Sequence, residues 1–186
     1  LILQYCFTAA RLWDKQFEQT AYDYPAAWMR VAGHMAIYEY FVVSDPDMPR
    51  MIPPLIARSV KRLHDLGFRY YQTQHGDGYA INGLNYYVLS KLLWDPTLDV
   101  NALRRDYVER GFGKAASQVG RYFERLENRW RAIEGSGVSM EILSLEEFER
   151  LARVYLTPEF RAACRHDLEE ALETATGEER ERVGFL

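Results

Sequence analysis

The sequence predicts an α/β protein in which a small parallel sheet is followed by a mostly helical second half. Residues 36–43 and 68–73 are apolar and aromatic runs typical of buried strands, and an amphipathic helical pattern separates them. Most aromatic residues precede Trp130, whereas residues 137–186 are rich in helix formers and charges. The two halves of the chain therefore differ in the structure that they favour.

The first part of the chain holds two predicted strands. Residues 1–7 form a short apolar and aromatic run that favours a buried strand. Residues 8–30 favour irregular or partly helical structure, in which Trp28, Met29 and Val31 begin a short apolar face that is expected to pack inward. Residues 36–43 are strand formers apart from Glu39, and we expect this strand to be covered on both faces.

A helix and a third strand follow. Pro53 is placed at a helix start, and Gly67 is the expected stop at its end. Between them, apolar residues recur at helical spacing: Leu55, Ile56, Val60, Leu63 and Leu66. Residues 68–73 then predict another strand. Strand, helix and strand in this order indicate a βαβ unit with parallel strands and a right-handed crossover.

The remaining elements are predicted as helices. Residues 82–93 form one helix, Trp94 at its end is expected to be a packing anchor, and Asp99 is a good N-cap for the next helix. The longest helix is expected over residues 114–133. Its apolar stripe comprises Ala115, Val119, Tyr122, Leu126, Trp130 and Ile133.

Capping signals indicate further helices in the tail. Ser144 and Thr176 each have a glutamate three residues later, as in a capping box, and Thr157 precedes a proline. We therefore divide the chain into the strands and helices of residues 1–93 and a helical extension of residues 94–186.

Composition excludes several classes of protein. The net charge is −4 with both signs interspersed, so no basic face suited to nucleic acid is expected. No apolar run is long enough for a transmembrane helix. Cys6 and Cys164 lack partners at metal-ligand spacing, and no phosphate-binding or dinucleotide-binding motif occurs, so no metal and no cofactor are predicted. The chain begins and stops within apolar patterns, and we expect both ends to continue in a longer protein.

One succession of motifs carries a family resemblance. A tyrosine-rich helix ends in Leu-Trp-Asp-Pro at residues 93–96, Asp-Val starts a helix at residues 99–100, and Phe-Gly-Lys-Ala-Ala follows at residues 112–116. The chain resembles a bacterial domain of unknown function that is seen in large secreted or surface proteins. That domain is grouped with glycoside hydrolases such as α-glucuronidases and β-hexosaminidases. Phe112 replaces its usual tyrosine, and the resemblance covers residues 28–130.

The resemblance implies a fold, a location and a class of partner. The fold would be a (β/α)₈ TIM-type barrel, of which this chain supplies the C-terminal strands and a mostly helical tail. The location would be extracytoplasmic, meaning periplasmic, secreted or at the surface. The partners would be an oligo- or polysaccharide and the rest of the parent chain. Unpaired sheet edges in such a piece would favour oligomerisation.

Barrel enzymes place their chemistry at the carboxyl ends of the strands, which directs attention to Glu39. Glu39 is the only charged residue in its apolar run, and burial of an ionised carboxylate is costly unless it is paired. It is our candidate catalytic residue, since glycosidases use a pair of carboxylates as general acid and base. Asp77 is one candidate for the second carboxylate, and a residue upstream of Leu1 in the parent protein is the other. The alternatives to a catalytic role are that Glu39 forms a buried ion pair with an arginine or lies at an exposed edge.

The candidate substrate-binding residues are polar or aromatic groups near the same strand ends. Gln72, Gln74, His75 and Asp77 suit hydrogen bonding to a polyhydroxylated ligand, and Tyr38 and Tyr40 offer rings on which a sugar could stack. The alternatives are a polar surface loop and tyrosines packed in the core. His75 and Asp77 are the two potential metal ligands in this loop, and two ligands are too few for a metal site.

Three functions follow from these patterns. The first is a glycoside-hydrolase-like protein that acts on carbohydrate by general acid and base catalysis at carboxylates. The second is a non-catalytic module that binds carbohydrate, and the third is a purely structural module of a larger surface protein. A second carboxylate that converges on Glu39 would distinguish the first function from the others.

Overall fold

Three parallel strands form a sheet in the computed structural model, which describes residues 3–7, 20–39, 50–73, 81–135 and 145–186. The strands are β1 (Leu3–Phe7), β2 (Met35–Glu39) and β3 (Tyr70–Thr73), and they lie side by side in the order β1-β2-β3. Both pairings are parallel. The predicted α/β class and the parallel βαβ unit are therefore confirmed.

Helices dominate the rest of the described chain, in agreement with the predicted helical content. In chain order they are α1 (Asp23–Ala32), α2 (Pro53–Asp65), α3 (Gly83–Trp94), α4 (Val100–Phe112), α5 (Ala116–Gly135), α6 (Leu145–Tyr155), α7 (Pro158–Thr174) and α8 (Gly177–Gly184).

Most of the predicted helix ends are found where the sequence places them. Asp99 caps α4 by accepting a hydrogen bond from the backbone N–H of Ala102 at 2.7 Å, and Thr157 caps α7. Gly67 follows α2 with a φ of 102°, a conformation that favours glycine. Thr176 makes no capping hydrogen bond, so the capping box predicted there is wrong. Its glutamate, Glu179, lies against Gly113 instead of returning to the N-cap. Ser144 lies outside the described residues.

A single hydrophobic core joins the sheet to the helices. Met35 and Ile37 of β2 are buried in it together with the apolar residues of α2 and α3. All six residues of the predicted stripe on α5 are buried, which confirms that prediction: Ala115, Val119, Tyr122, Leu126, Trp130 and Ile133. Burying each large side chain contributes about 1.5–3 kcal/mol. The core includes residues from both sides of position 93, and the division into two units stays a prediction.

Three aromatic or apolar side chains that were expected to pack inward are exposed. Trp94 is 91% exposed, because the buried stripe of α3 runs through Val88 and Leu92 and Trp94 lies off that stripe. Trp28 and Val31 are also exposed. Helix α1 makes its main element contact with β2, and these two residues lie off the face that meets the sheet.

An asparagine clamp, formed by Asn82 and Asn85, joins the segments that precede α2 and α3. The Asn82 side-chain oxygen accepts from the backbone N–H of Arg50 at 3.2 Å. The Asn85 oxygen accepts from the N–H of Ile52 at 3.1 Å, and its amide nitrogen donates to the carbonyl of Arg50. Since Asn82 and Asn85 are both buried, these bonds satisfy backbone groups that water does not reach. The clamp fixes the start of α2 on the start of α3.

We predict that Asn85→Ala destabilises the fold by about 2–4 kcal/mol, because two buried backbone groups lose their partners. Urea unfolding followed by circular dichroism measures the change. Asn128→Ala, at an exposed position of α5, is the matched control and should change stability little. Equal stability of the two variants would show that the clamp does not hold the segment.

Candidate functional site

The carboxyl ends of the three strands meet at one edge of the sheet. Phe7, Glu39 and Thr73 are register partners there, and each is the last described residue of its strand. Thr73 donates its hydroxyl hydrogen to the carbonyl oxygen of Glu39 at 2.9 Å. In open parallel sheets and in barrels this edge is where ligands bind. It is therefore the candidate site.

Glu39 lies on the face of the sheet that the helices cover. It alternates along β2 with Met35 and Ile37 on that face, and its side chain is fully buried. Sequence reasoning expected β2 to be covered on both faces, but Ala36 and Tyr38 on the opposite face are partly exposed. The covered face thus holds a carboxylate within an otherwise apolar strand surface.

The charge of Glu39 affects the pKa of Tyr71 on the covered face. The hydroxyl oxygen of Tyr71 is buried, and burial is the largest cause that raises its pKa well above the ordinary tyrosine value. The negative charge of Glu39 raises the pKa further, as does Tyr22. The phenol is accordingly held in its neutral, protonated form.

The opposite face carries neutral polar and aromatic groups, and we call it the open face. Its residues with described side chains are Gln4, Ala36, Tyr38, Tyr70 and Gln72, which the strand register places on one side of the sheet. Gln4 donates from its amide nitrogen to the side-chain oxygen of Gln72 at 3.3 Å, across β2. Both glutamines are exposed, and Tyr70 is 47% exposed. Amides and phenols here form a shallow polar surface with aromatic rings.

The structure separates the sequence-predicted site residues. Tyr38 and Gln72 are direct register partners on the open face, so these two are brought together. Glu39, one position along β2, lies on the covered face. The remaining predicted site residues lie outside the described residues: Tyr40, Gln74, His75 and Asp77. Their roles stay predictions.

Sequence reasoning did not select Gln4, and it named Tyr70 only as one of several tyrosines that either stack on a sugar or pack in the core. The signal for Tyr70 was present in the alternation along β3, since residues two apart share a face and Gln72 is polar. Gln4 needed the register of β1 against β2, which local sequence does not give. The buried Asn82 and Asn85 were likewise missed, because nothing local distinguishes them from surface asparagines.

The larger concavities in the described part of the molecule lie among the helices. A groove of about 700 Å³ runs between α4 and α5, and one of about 640 Å³ runs between α5 and α7. Ion pairs line the second groove, where Arg121 and Arg125 contact the buried carboxylate of Asp167 at 3.3 and 2.9 Å. These arginines fasten α7 to α5. Neither groove includes a residue that the sequence singled out for chemistry.

Two further observations concern metals and membranes. Within the described ranges, no three histidine, cysteine, aspartate or glutamate side chains converge as a metal ion would require. Among the described helices, none combines the length and apolar character needed to span a membrane.

Comparison with known proteins gives one match. A family model described as Domain of unknown function (DUF4838) matches residues 11–124, which include β2, β3 and the helices from α1 to α4. No curated protein and no solved structure matches the chain.

We predict that Glu39→Gln lowers the pKa of Tyr71, because it removes a negative charge that favours the protonated phenol. The folded state holds this proton more tightly than the unfolded chain, so stability falls as pH rises through the ordinary tyrosine pKa of about 10. NMR titration of tyrosine labelled with ¹³C at Cζ measures the pKa, and Tyr71→Phe identifies the signal.

Glu109→Gln removes an exposed carboxylate on α4 and serves as the control. It should leave the Tyr71 titration unchanged. If Glu39→Gln also leaves it unchanged, the two side chains do not interact as the geometry requires.

Proposed function

The chain belongs to the family Domain of unknown function (DUF4838), whose model matches more than half of its 186 residues, and we propose that it binds carbohydrate on the open face of its sheet. The observation that carries this proposal is the presence of two exposed amides, one exposed phenol ring and one partly exposed phenol ring on one surface. Gln4 and Gln72 supply donors and acceptors, and Tyr38 and Tyr70 supply rings. Sugars present hydroxyl groups at their rims and apolar C–H faces, which such a surface complements.

We further propose that the three strands are part of a (β/α)₈ barrel in a glycoside-hydrolase-like protein. Three features support this proposal. The strands are parallel and adjacent in chain order, the described helices cover one face and leave the other at least partly exposed, and the described side chains of the open face are mostly polar. In a barrel the helices lie outside, so the open face of this sheet would face the interior.

Binding to a glycan array tests the first proposal. We predict that Tyr70→Ala weakens binding about tenfold, or about 1.4 kcal/mol, the upper range for loss of one aromatic contact. Gln72→Ala should weaken it as well, because it removes both an acceptor and a donor. Affinities for the array hits are then measured by isothermal titration calorimetry.

Tyr24→Ala is the matched control for Tyr70→Ala. Tyr24 is 71% exposed on α1 and is not one of the open-face residues, so its removal should leave binding intact. Circular dichroism establishes that each variant is folded. Absence of any glycan binding by the wild-type chain, or equal binding by Tyr70→Ala and the wild type, would contradict the proposal.

Hydrolysis by general acid and base catalysis is the second candidate function, with Glu39 as the catalytic carboxylate. It is favoured because Glu39 is the only acidic residue in the three described strands and stands at their carboxyl edge. Binding is placed first because the Glu39 side chain is fully buried on the covered face, opposite the proposed binding surface.

A panel of aryl glycosides and aryl uronides tests the second candidate. We predict that Glu39→Gln lowers hydrolysis at least about a hundredfold, the loss expected for a general acid or base. Glu109→Gln should match the wild type. If no substrate is cleaved, or if both variants cleave equally, Glu39 has a structural role.

A further inference from the structure

We infer that the open face takes neutral, hydroxyl-rich sugars and discriminates against sugars that carry a carboxylate, an inference that rests on the proposed binding function. The five open-face residues include two amides, two phenols and one alanine, and none carries a charge. Such groups satisfy hydroxyls well. They provide no cation for the carboxylate of a uronic acid.

Two described arginines, Arg50 before α2 and Arg69 before β3, are engaged elsewhere. Arg50 is almost fully buried, its backbone is held by the asparagine clamp, and its guanidinium carbon lies 5.6 Å from the centroid of the Trp130 ring. Arg69 directly precedes β3, but its guanidinium donates to the carbonyls of His64 and Phe68, each at 2.8 Å. Neither guanidinium is placed among the open-face side chains.

The sequence beside the sheet favours the same selectivity. Residues 40–49 follow β2 and residues 74–80 follow β3, and these stretches contain aspartates but no lysine or arginine. Residues 8–19 follow β1 and balance two basic residues with two acidic ones. The sequence that follows β2 and β3 therefore adds acidic side chains but no lysine or arginine, a composition that disfavours an anionic ligand most strongly at low ionic strength.

Burying part of a carboxylate without a cationic or multiple hydrogen-bonding partner is costly, whereas a hydroxyl group needs only the neutral partners that the open face offers. A sugar and its uronate differ at C6 only. The selectivity can consequently be measured on pairs of ligands that share every other contact.

The experiment uses three pairs of tetrasaccharides in which the sugar is glucose, galactose or mannose and its partner is the corresponding uronate. Titration calorimetry with the wild-type chain at low salt should give at least one neutral ligand that binds about tenfold more tightly than its uronate. Tyr70→Ala should weaken that binding. Gln4→Arg places a cation on the open face and should raise the affinity for the uronate. The difference in affinity between the neutral sugar and its uronate would then become smaller.

The outcomes separate the two proposals. Both proposals are supported if the wild type binds a neutral sugar more tightly than its uronate, if Tyr70→Ala loses this preference, and if Gln4→Arg reduces the difference in affinity. Equal or tighter uronate binding that still depends on Tyr70 overturns the selectivity and leaves the binding function in place. Absence of binding to all six ligands and to the glycan array overturns the binding function and this inference with it.

Discussion

The asparagine clamp is the constraint on which the arrangement at the carboxyl edge depends. Parallel strands are connected by crossover helices, and each helix has to pack against the sheet at a fixed position. Asn82 and Asn85 hold the backbone at Arg50 and Ile52, so the start of α2 is tied to the start of α3. These two helices make one of the most extensive element contacts in the described chain, and their buried residues cover β2 and β3.

The clamp also explains why buried polar groups are tolerated in this core. Backbone N–H and C=O groups of an extended segment would be costly to bury unpaired, and two side-chain amides satisfy three of them. Farther from the sheet, a buried charged group is likewise satisfied by hydrogen-bonding partners. Asp167 is almost fully buried, and the guanidinium groups of Arg121 and Arg125 satisfy its two oxygens. Polar side chains with complete partners thus fix how the helices dock.

The two faces of the sheet carry different polar groups. Glu39 and Tyr71 share the covered face, where burial and charge keep the phenol neutral. Amides and exposed rings occupy the open face. A pleated strand makes this division unavoidable, since adjacent residues such as Tyr38 and Glu39 must point to opposite sides. A ligand on the open face therefore contacts Tyr38. Any electrostatic effect of Glu39 on that ligand has to act across the sheet.

The sequence by itself determined the α/β class, the βαβ unit, the buried stripe on α5 and the caps at Asp99 and Thr157, because periodicity and capping are local properties. It also placed Glu39 within a buried strand and Gln72 near the end of another. Only the tertiary structure decided which faces these residues occupy, that Gln4 meets Gln72, and that Asn85 is buried. Such facts depend on strand register and on contacts between residues far apart in the chain. Trp94 illustrates the same limit, since an aromatic residue at a helix end packs or lies in solvent according to neighbours that local sequence does not specify.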